Sequence, residues 1–323
     1  AYTAGELDYF MRDAQPALFV CDPAQVESIR ALANAAGVGR VETLGDAGSG
    51  TLAALAGKCA ADFATIDRAD NDLAAILYTS GTTGRSKGAM LSHGNLASNA
   101  FTLKDIWRFT SDDTLLHALP IFHTHGLFVA TNVILAAGAS MIFLSAFDVE
   151  DVLDALPRAN TMMGVPTFYI RLLKEGRFTA EYVTHMRLFI SGSAPLSADI
   201  HREFSGRTGH AILERYGMTE TNMNTSNPYE GDRIAGTVGK PLPGVAIRIA
   251  DPETGVDGTG RRGAPDRLRR RRSGPGRGRD DQGQVPQLGP DLRLPEPGLC
   301  RGVCRRDLCA EAGGRGGEDP GRL

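Results

Sequence analysis

Eleven consecutive residues, Tyr78-Thr-Ser-Gly-Thr-Thr-Gly-Arg-Ser-Lys-Gly88, hold the densest chemistry of the chain. Five aliphatic hydroxyls (Thr79, Ser80, Thr82, Thr83 and Ser86) surround Gly81, Gly84 and a single lysine, Lys87. Glycines let a backbone turn tightly against an anion. Amide N–H groups and hydroxyls can then ring phosphate oxygens while the lysine adds a mobile positive charge. The spacing is not that of a Walker loop, which needs Gly-Lys-Ser/Thr at a fixed offset from an earlier glycine. A second concentration is Phe122-His123-Thr-His125-Gly126. His125 is the titratable group of most interest there, with His123 the lesser candidate, although a lone histidine is more often structural. Glu220 and Tyr216, each taken singly, read as a solvated carboxylate and a half-buried core aromatic.

These groups need elements to hold them. Leu73–Tyr78 reads as a buried strand feeding the glycine-rich stretch. Further strands are expected at 17–21, 115–119, 140–144, 161–164 and 187–191. Helices are expected after Ser92 (a plausible N-cap), over 149–156 up to Pro157, over 166–173, and after Ser197. An apolar helix is also expected to follow His125. The alternation predicts an α/β fold of mainly parallel sheets with flanking helices.

Composition bounds the function class. The 323 residues carry 42% hydrophobic residues, ordinary for a globular chain. No run of about 18 apolar residues occurs, so no membrane span is expected, and no signal segment opens the chain. The absence of an initiator Met implies a missing or processed N-terminus. Five irregularly spaced cysteines suit a reducing cytoplasm and give no paired zinc spacing. From Gly258 onward there are 15 Arg, no Lys and 9 acidic residues, a net of +6, against −9 for the rest. That tail has no Phe, Tyr, Trp, Ile or Met, and Arg, Gly and Pro make 37 of its 66 residues. Such a stretch cannot bury enough apolar surface to offset its chain entropy. One reading is a basic arm for nucleic acid built on Arg269-Arg-Arg-Arg272. The preferred one is a GC-rich gene read out of frame, which sets nucleic acid aside as a partner.

The glycine-rich stretch closely resembles the phosphate loop of the acyl-adenylate-forming enzymes. Other segments agree in order: Leu119-Pro120-Ile-Phe-His-Thr-His125-Gly126, Ile190-Ser-Gly192-Ser193-Ala194-Pro195, Glu214-Arg-Tyr216-Gly217-Met218-Thr219-Glu220, and Val238-Gly239-Lys-Pro241-Leu-Pro243-Gly244. Within the superfamily the wording is most similar to malonyl-CoA synthetases. The resemblance covers about residues 1–255, a partial adenylation domain, and stops where the tail 256–323 begins.

The resemblance implies an acid–thiol ligase using ATP, Mg²⁺ and coenzyme A. Thr79, Ser80, Gly81, Thr82, Thr83, Gly84, Ser86 and Lys87 would hold the β/γ-phosphates. Thr219 would meet the α-phosphate, and Glu220 would help hold Mg²⁺. Gly192, Ser193, Ala194, Tyr216, Gly217 and Met218 would line the adenine slot. His125 would lie against the substrate carboxylate. A second carboxylate, as in malonate, must not be buried unpaired, and an arginine fork suits it. Arg202 is the first candidate, Arg171 the second, with a surface role the better expectation for Arg171. The family's ribose-binding Thr-Gly-Asp segment and lysine-bearing C-terminal domain have no match after Gly255, so little or no synthetase activity is expected of the chain as given. Rival readings are another short-chain or aryl-acid CoA ligase, or an inactive nucleotide- or RNA-binding protein with a basic tail.

Overall fold

The computed structural model describes residues 2–79 and 86–248. Ser80 to Gly84 of the phosphate-loop candidates, and the whole tail 256–323, lie outside the described residues. The described residues up to Ala246 belong to one compact unit. It begins with α1 (Ala4–Ala14), β1 (Phe19–Cys21), α2 (Val26–Ala35), β2 (Val41–Thr43) and α3 (Thr51–Ala56). β1 and β2 pair in parallel over a small core of Met11, Ile29, Ala33 and Val38.

A hairpin follows, β3 (Leu73–Thr79) paired antiparallel with β4 (Lys87–Ser92). Leu73–Tyr78 is therefore not the buried strand expected of its apolar run. In this two-stranded ribbon Leu91 is buried, whereas Ile76 and its cross-strand partner Met90 are exposed. Helix α4 (His93–Ile106) starts where expected: Ser92 Oγ accepts from Asn95 N–H, and Asn95 Oδ1 accepts from Ser92 N–H, a capping box.

The remaining elements are β5 (Thr114–His117), a π-helical turn (His125–Ala130) running into α5 (Thr131–Ala137), β6 (Ser140–Phe143), α6 (Val149–Ala155), β7 (Thr161–Gly164), α7 (Pro166–Leu172), β8 (Leu188–Ser191), α8 (Ala198–Thr208), β9 (Leu213–Met218), β10 (Asn222–Ser226) and β11 (Lys240–Pro241). One seven-stranded sheet results, in the order β11-β10-β9-β8-β7-β5-β6. Its five strands from β9 to β6 are parallel, and β10 and β11 turn antiparallel at one edge.

Parallel strands are covered on both faces, and the residues show it. Leu115, Met163, Leu188 and Ile190 pack on one side with Leu103 and Trp107 from the α4 region and Val133 and Ile134 of α5. Leu116, Met162 and Phe189 pack on the other with Val152, Leu153, Tyr169, Leu172 and Phe204 of α6, α7 and α8. Side chains alternate across a strand, so an unbroken apolar run supplies both cores at once. At the end of the sheet where β5 begins, Asp113 and Arg187 form a two-pronged ion pair at 2.6 and 2.7 Å.

Candidate functional site

His125, Gly192, Ser193 and the 216–220 segment lie where β5, β8 and β9 end. The turn after β5 brings in His125, which is 1% exposed. The loop after β8 brings in Gly192 and Ser193, and Ser193 takes a left-handed conformation (φ +66°) that costs a non-glycine residue energy. Strain of this kind is retained only where surroundings over-determine it. Here His125 Nδ1 and Ser193 Oγ are 3.1 Å apart. His123 Nδ1 accepts from the His125 backbone N–H at 3.2 Å, so that nitrogen carries no proton.

Strand β9 contributes a residue that motif reading passed over. Arg215 is 3% exposed and lies against Gly192: a side-chain carbon there would stand 2.3 Å from the guanidinium carbon. Neither Nε nor Nη2 of Arg215 has a hydrogen-bond partner. Nε2 of His125 and Oγ of Ser191 are likewise buried without partners. A buried cation with unsatisfied donors is costly, and burial pulls the Arg215 guanidinium down to about 9. Burial, then the charge of Arg215 and the neighbouring imidazoles of His123 and His117, holds His125 well below the usual histidine range. Burial and the same arginine also lower His123. His125 Nε2 and the Arg215 guanidinium therefore form a buried pair of groups able to donate to an anion.

Beyond Arg215 the chain emerges as the β9–β10 hairpin. Tyr216 is 45% exposed, a free aromatic face, and Met218 is also exposed. Thr219 and Glu220 form the turn at the tip, with Glu220 exposed and without a side-chain partner among the described residues. Helix α4 steadies this hairpin: the Asn99 side chain donates to Met223 O at 3.0 Å and accepts from Met223 N–H at 3.3 Å, beside an irregularity in the β9–β10 register. Thr124 Oγ1 donates to Asn222 Oδ1 at 3.2 Å, tying the hairpin to the histidine turn.

On the β3–β4 hairpin, Thr79 lies opposite Lys87, and the Ser86 carbonyl accepts from the Tyr9 hydroxyl at 3.0 Å. Glu220 suits a hard cation that takes one or two carboxylates and otherwise keeps water or phosphate oxygens. No cluster of three or more His, Cys, Asp or Glu side chains able to hold a metal occurs among the described residues.

Arg202, the first arginine candidate, lies on helix α8. It sits on the exposed side of α8, paired with Asp199 three residues earlier, while its neighbour His201 turns inward to donate to Ile212 O at 3.0 Å. The helical period puts 201, 204 and 208 inside and leaves 202 out. Arg215 is an arginine whose charge acts on His125. Arg171 is exposed and lies over the Phe147 ring at 4.9 Å, the surface role expected of it. The signal for Arg215 was an ionisable residue inside a strand, between buried Leu213 and exposed Tyr216. It is legible only once 213–218 is recognised as a strand.

The depressed histidines fix a pH dependence. His123, His125, His201 and His210 are all lowered, chiefly by burial. Below about 6.5 the unfolded chain binds protons that the folded chain refuses. Stability is therefore full above pH 6.5 and falls as pH drops towards the folded-state values. The thermal midpoint is expected to fall between pH 7 and 5, and His125→Gln to flatten part of that slope.

Residues 1–264 match the AMP-binding enzyme family. The mitochondrial malonate–CoA ligase of Bos taurus is 34% identical over 261 residues, covering 76% of this chain and 44% of that protein. The malonate–CoA ligase of Arabidopsis thaliana is 40% identical over 210 residues, 59% of this chain and 34% of that one. The crystal structure of ATP-bound MatB from Rhodopseudomonas palustris superposes with a TM-score of 0.77 at 65% identity, covering 80% of this chain and 51% of that chain. This chain thus spans about half the length of these relatives or less. No helix among the described residues is long and apolar enough to cross a membrane.

Proposed function

The chain belongs to the AMP-binding enzyme family, and from that premise we propose that it is the nucleotide- and acid-binding part of an ATP-dependent acid–thiol ligase whose acid is malonate. The observation that carries the choice of acid is the buried, unpaired guanidinium of Arg215 beside His125. A monocarboxylic acid, aliphatic or aryl, offers one carboxylate, which must face the α-phosphate. It would leave Arg215 uncompensated. A dicarboxylate offers a second, and a bidentate charge-assisted pair is the strongest partner a guanidinium can have. The identity of several relatives as malonate–CoA ligases supports the same acid.

The reaction follows from the electronics of a carboxylate, which is a poor electrophile with no leaving group. One carboxylate oxygen of malonate attacks the ATP α-phosphorus, and the bond to the bridging oxygen breaks. Pyrophosphate departs and an acyl-AMP anhydride forms. The thiol of coenzyme A then attacks the acyl carbon, loses its proton, and expels AMP. Charge accumulates on phosphate oxygens throughout, so the protein's contribution is placement and positive potential.

Thr79 to Lys87 hold the β/γ-phosphates, Thr219 meets the α-phosphate, and Tyr216 lies against adenine, with Gly192, Ser193, Ala194, Gly217 and Met218 along the slot. His125, neutral and anchored on Ser193, donates to the reacting carboxylate without competing for its charge. Glu220 would hold Mg²⁺, which would supply positive charge to offset that of the triphosphate. In this reading the synthetase-like part ends near Gly255, and residues 256–323 take no part in the site.

Calorimetric titration of the chain with malonate, succinate, propionate and benzoate tests the acid. Malonate is expected to bind more than about tenfold tighter than propionate, from one added charge-assisted pair. Equal binding of propionate or benzoate would remove the dicarboxylate reading.

A further inference from the structure

The turn that carries His125 is not an ordinary helix start. Residues 125–130 form a π-helical turn in which the Gly126 carbonyl receives the backbone N–H of Thr131, five residues on. In an α-helix that carbonyl would receive the N–H four residues on. Two side chains converge on the same oxygen. The Nε2 of His117 lies 3.0 Å from it, and the Thr131 hydroxyl donates to it at 2.9 Å. A carbonyl only accepts, so His117 carries its proton on Nε2. Its other nitrogen, Nδ1, is buried and without a hydrogen-bond partner.

His117 is fully buried at the last position of β5, and its ring lies 4.8 Å from that of Phe143, its register partner on β6. It is thus fixed by the sheet. The turn is fixed from the opposite side as well, because a side-chain carbon on Gly126 would stand 2.4 Å from the backbone oxygen of Pro120. π-turns are rare and are frequently found at functional sites. Here the residue at the turn is His125, one position before the held carbonyl.

We propose that His117 is a positioning residue: with Thr131 it locks the Gly126 carbonyl in the π-turn and so seats the His125 imidazole against Ser193, facing the acid. The inference rests on the reading of His125 as the group that meets the acid. It assigns a use to a buried histidine that neither the reaction nor the core packing requires, since leucine would fill the same space without a buried unpaired nitrogen.

Three variants test it: His117→Leu, which keeps volume and removes the donor; His117→Gln, whose amide can still donate; and Thr131→Val. Each is titrated with malonate and, separately, with ATP, and the histidine ring nitrogens are followed by ¹⁵N NMR without ligand. His117→Leu and Thr131→Val are expected to weaken malonate roughly tenfold through misplacement of His125, to leave ATP affinity unchanged, and to shift the His125 ring signals. His117→Gln is expected to restore most of the malonate affinity. Folded His117→Leu with native malonate affinity and native His125 signals would overturn the proposal, as would equal losses for malonate and ATP. Should His117→Leu fail to fold, Thr131→Val decides on the same readouts. Should the native chain not bind malonate, the acid reading falls, while the ligand-free His125 signals still decide whether His117 sets that ring.

Discussion

Arg215→Met is expected to hold or raise the stability of the protein while malonate affinity collapses. The two halves have one cause. The guanidinium is buried, its Nε and Nη2 have no partners, and burial alone accounts for its lowered proton affinity. Replacing buried ionic groups by apolar ones of similar volume is often neutral or stabilising by about 1–4 kcal/mol. Methionine is unbranched and adapts to an irregular space. Losing one partner of a buried charge pair costs binding about 2–5 kcal/mol, which is roughly 30-fold to several thousand-fold in affinity. Propionate, which has no second carboxylate, should be affected far less. Thermal melts and calorimetry with both acids read the contrast. If Arg215→Met melts well below the native protein, the guanidinium is a structural strut with partners of its own. If malonate and propionate weaken equally, it is not the second carboxylate's partner.

The contrast with Arg202 shows how far sequence carries the site. The segments holding His125, Ser193, Tyr216 and Glu220 were legible because each is a short string of unusual types in a particular order. The structure brings His125 and Ser193 within 3.1 Å, and Gly192 and Arg215 into contact. Which arginine faces the histidine turn is a question of side-chain direction, which a string does not hold. On α8 the period of 3.6 turns 201 inward and 202 outward. On β9 an arginine enters a buried position that composition would assign to an apolar residue. The main-sheet strands were legible because both faces are buried and the runs are apolar. The same rule misled at Leu73–Tyr78, where an apolar strand sits in a hairpin with one open face. The elements α1, α2, α3 and β2 carry few buried residues, so their pattern is faint. His117 was invisible for another reason: its partner is a backbone carbonyl.

The site's geometry also depends on the opposite end of the sheet, and Asp113→Ala is expected to cost about 3–5 kcal/mol of stability, the usual price of stranding one member of a buried ion pair. Asp113 is 3% exposed and precedes β5. Its carboxylate accepts from Arg187 Nε and Nη2, from the Asn160 side chain at 2.9 Å and from the Thr110 N–H at 2.8 Å. Arg187 leads into β8 and Asn160 into β7, and Asn160 Oδ1 accepts from Thr114 N–H at 2.9 Å. One carboxylate therefore pins the starts of three parallel strands. Register matters because a slip by one residue exchanges the two faces of a strand, and these strands or their loops carry His117, Ser191 and Ser193 at the far end. Desolvation opposes the charge on Asp113, but the hydrogen bonds and charge of Arg187 outweigh it and hold the carboxyl below its usual range. A lowered carboxyl stabilises above the unfolded value and loses that contribution only as pH falls through the folded one. Asp113→Ala should accordingly lose stability at neutral pH and show a flatter acid limb than the native protein. Arg187 would be left against Phe109 and Tyr229, at 4.8 and 5.5 Å, with ring faces in place of a counter-ion. Urea unfolding at pH 7 and pH 4 measures both effects. A loss under about 1 kcal/mol would mean that Arg187 finds water in place of the carboxylate, as exposed pairs do. The sheet's register would then rest on its apolar faces alone.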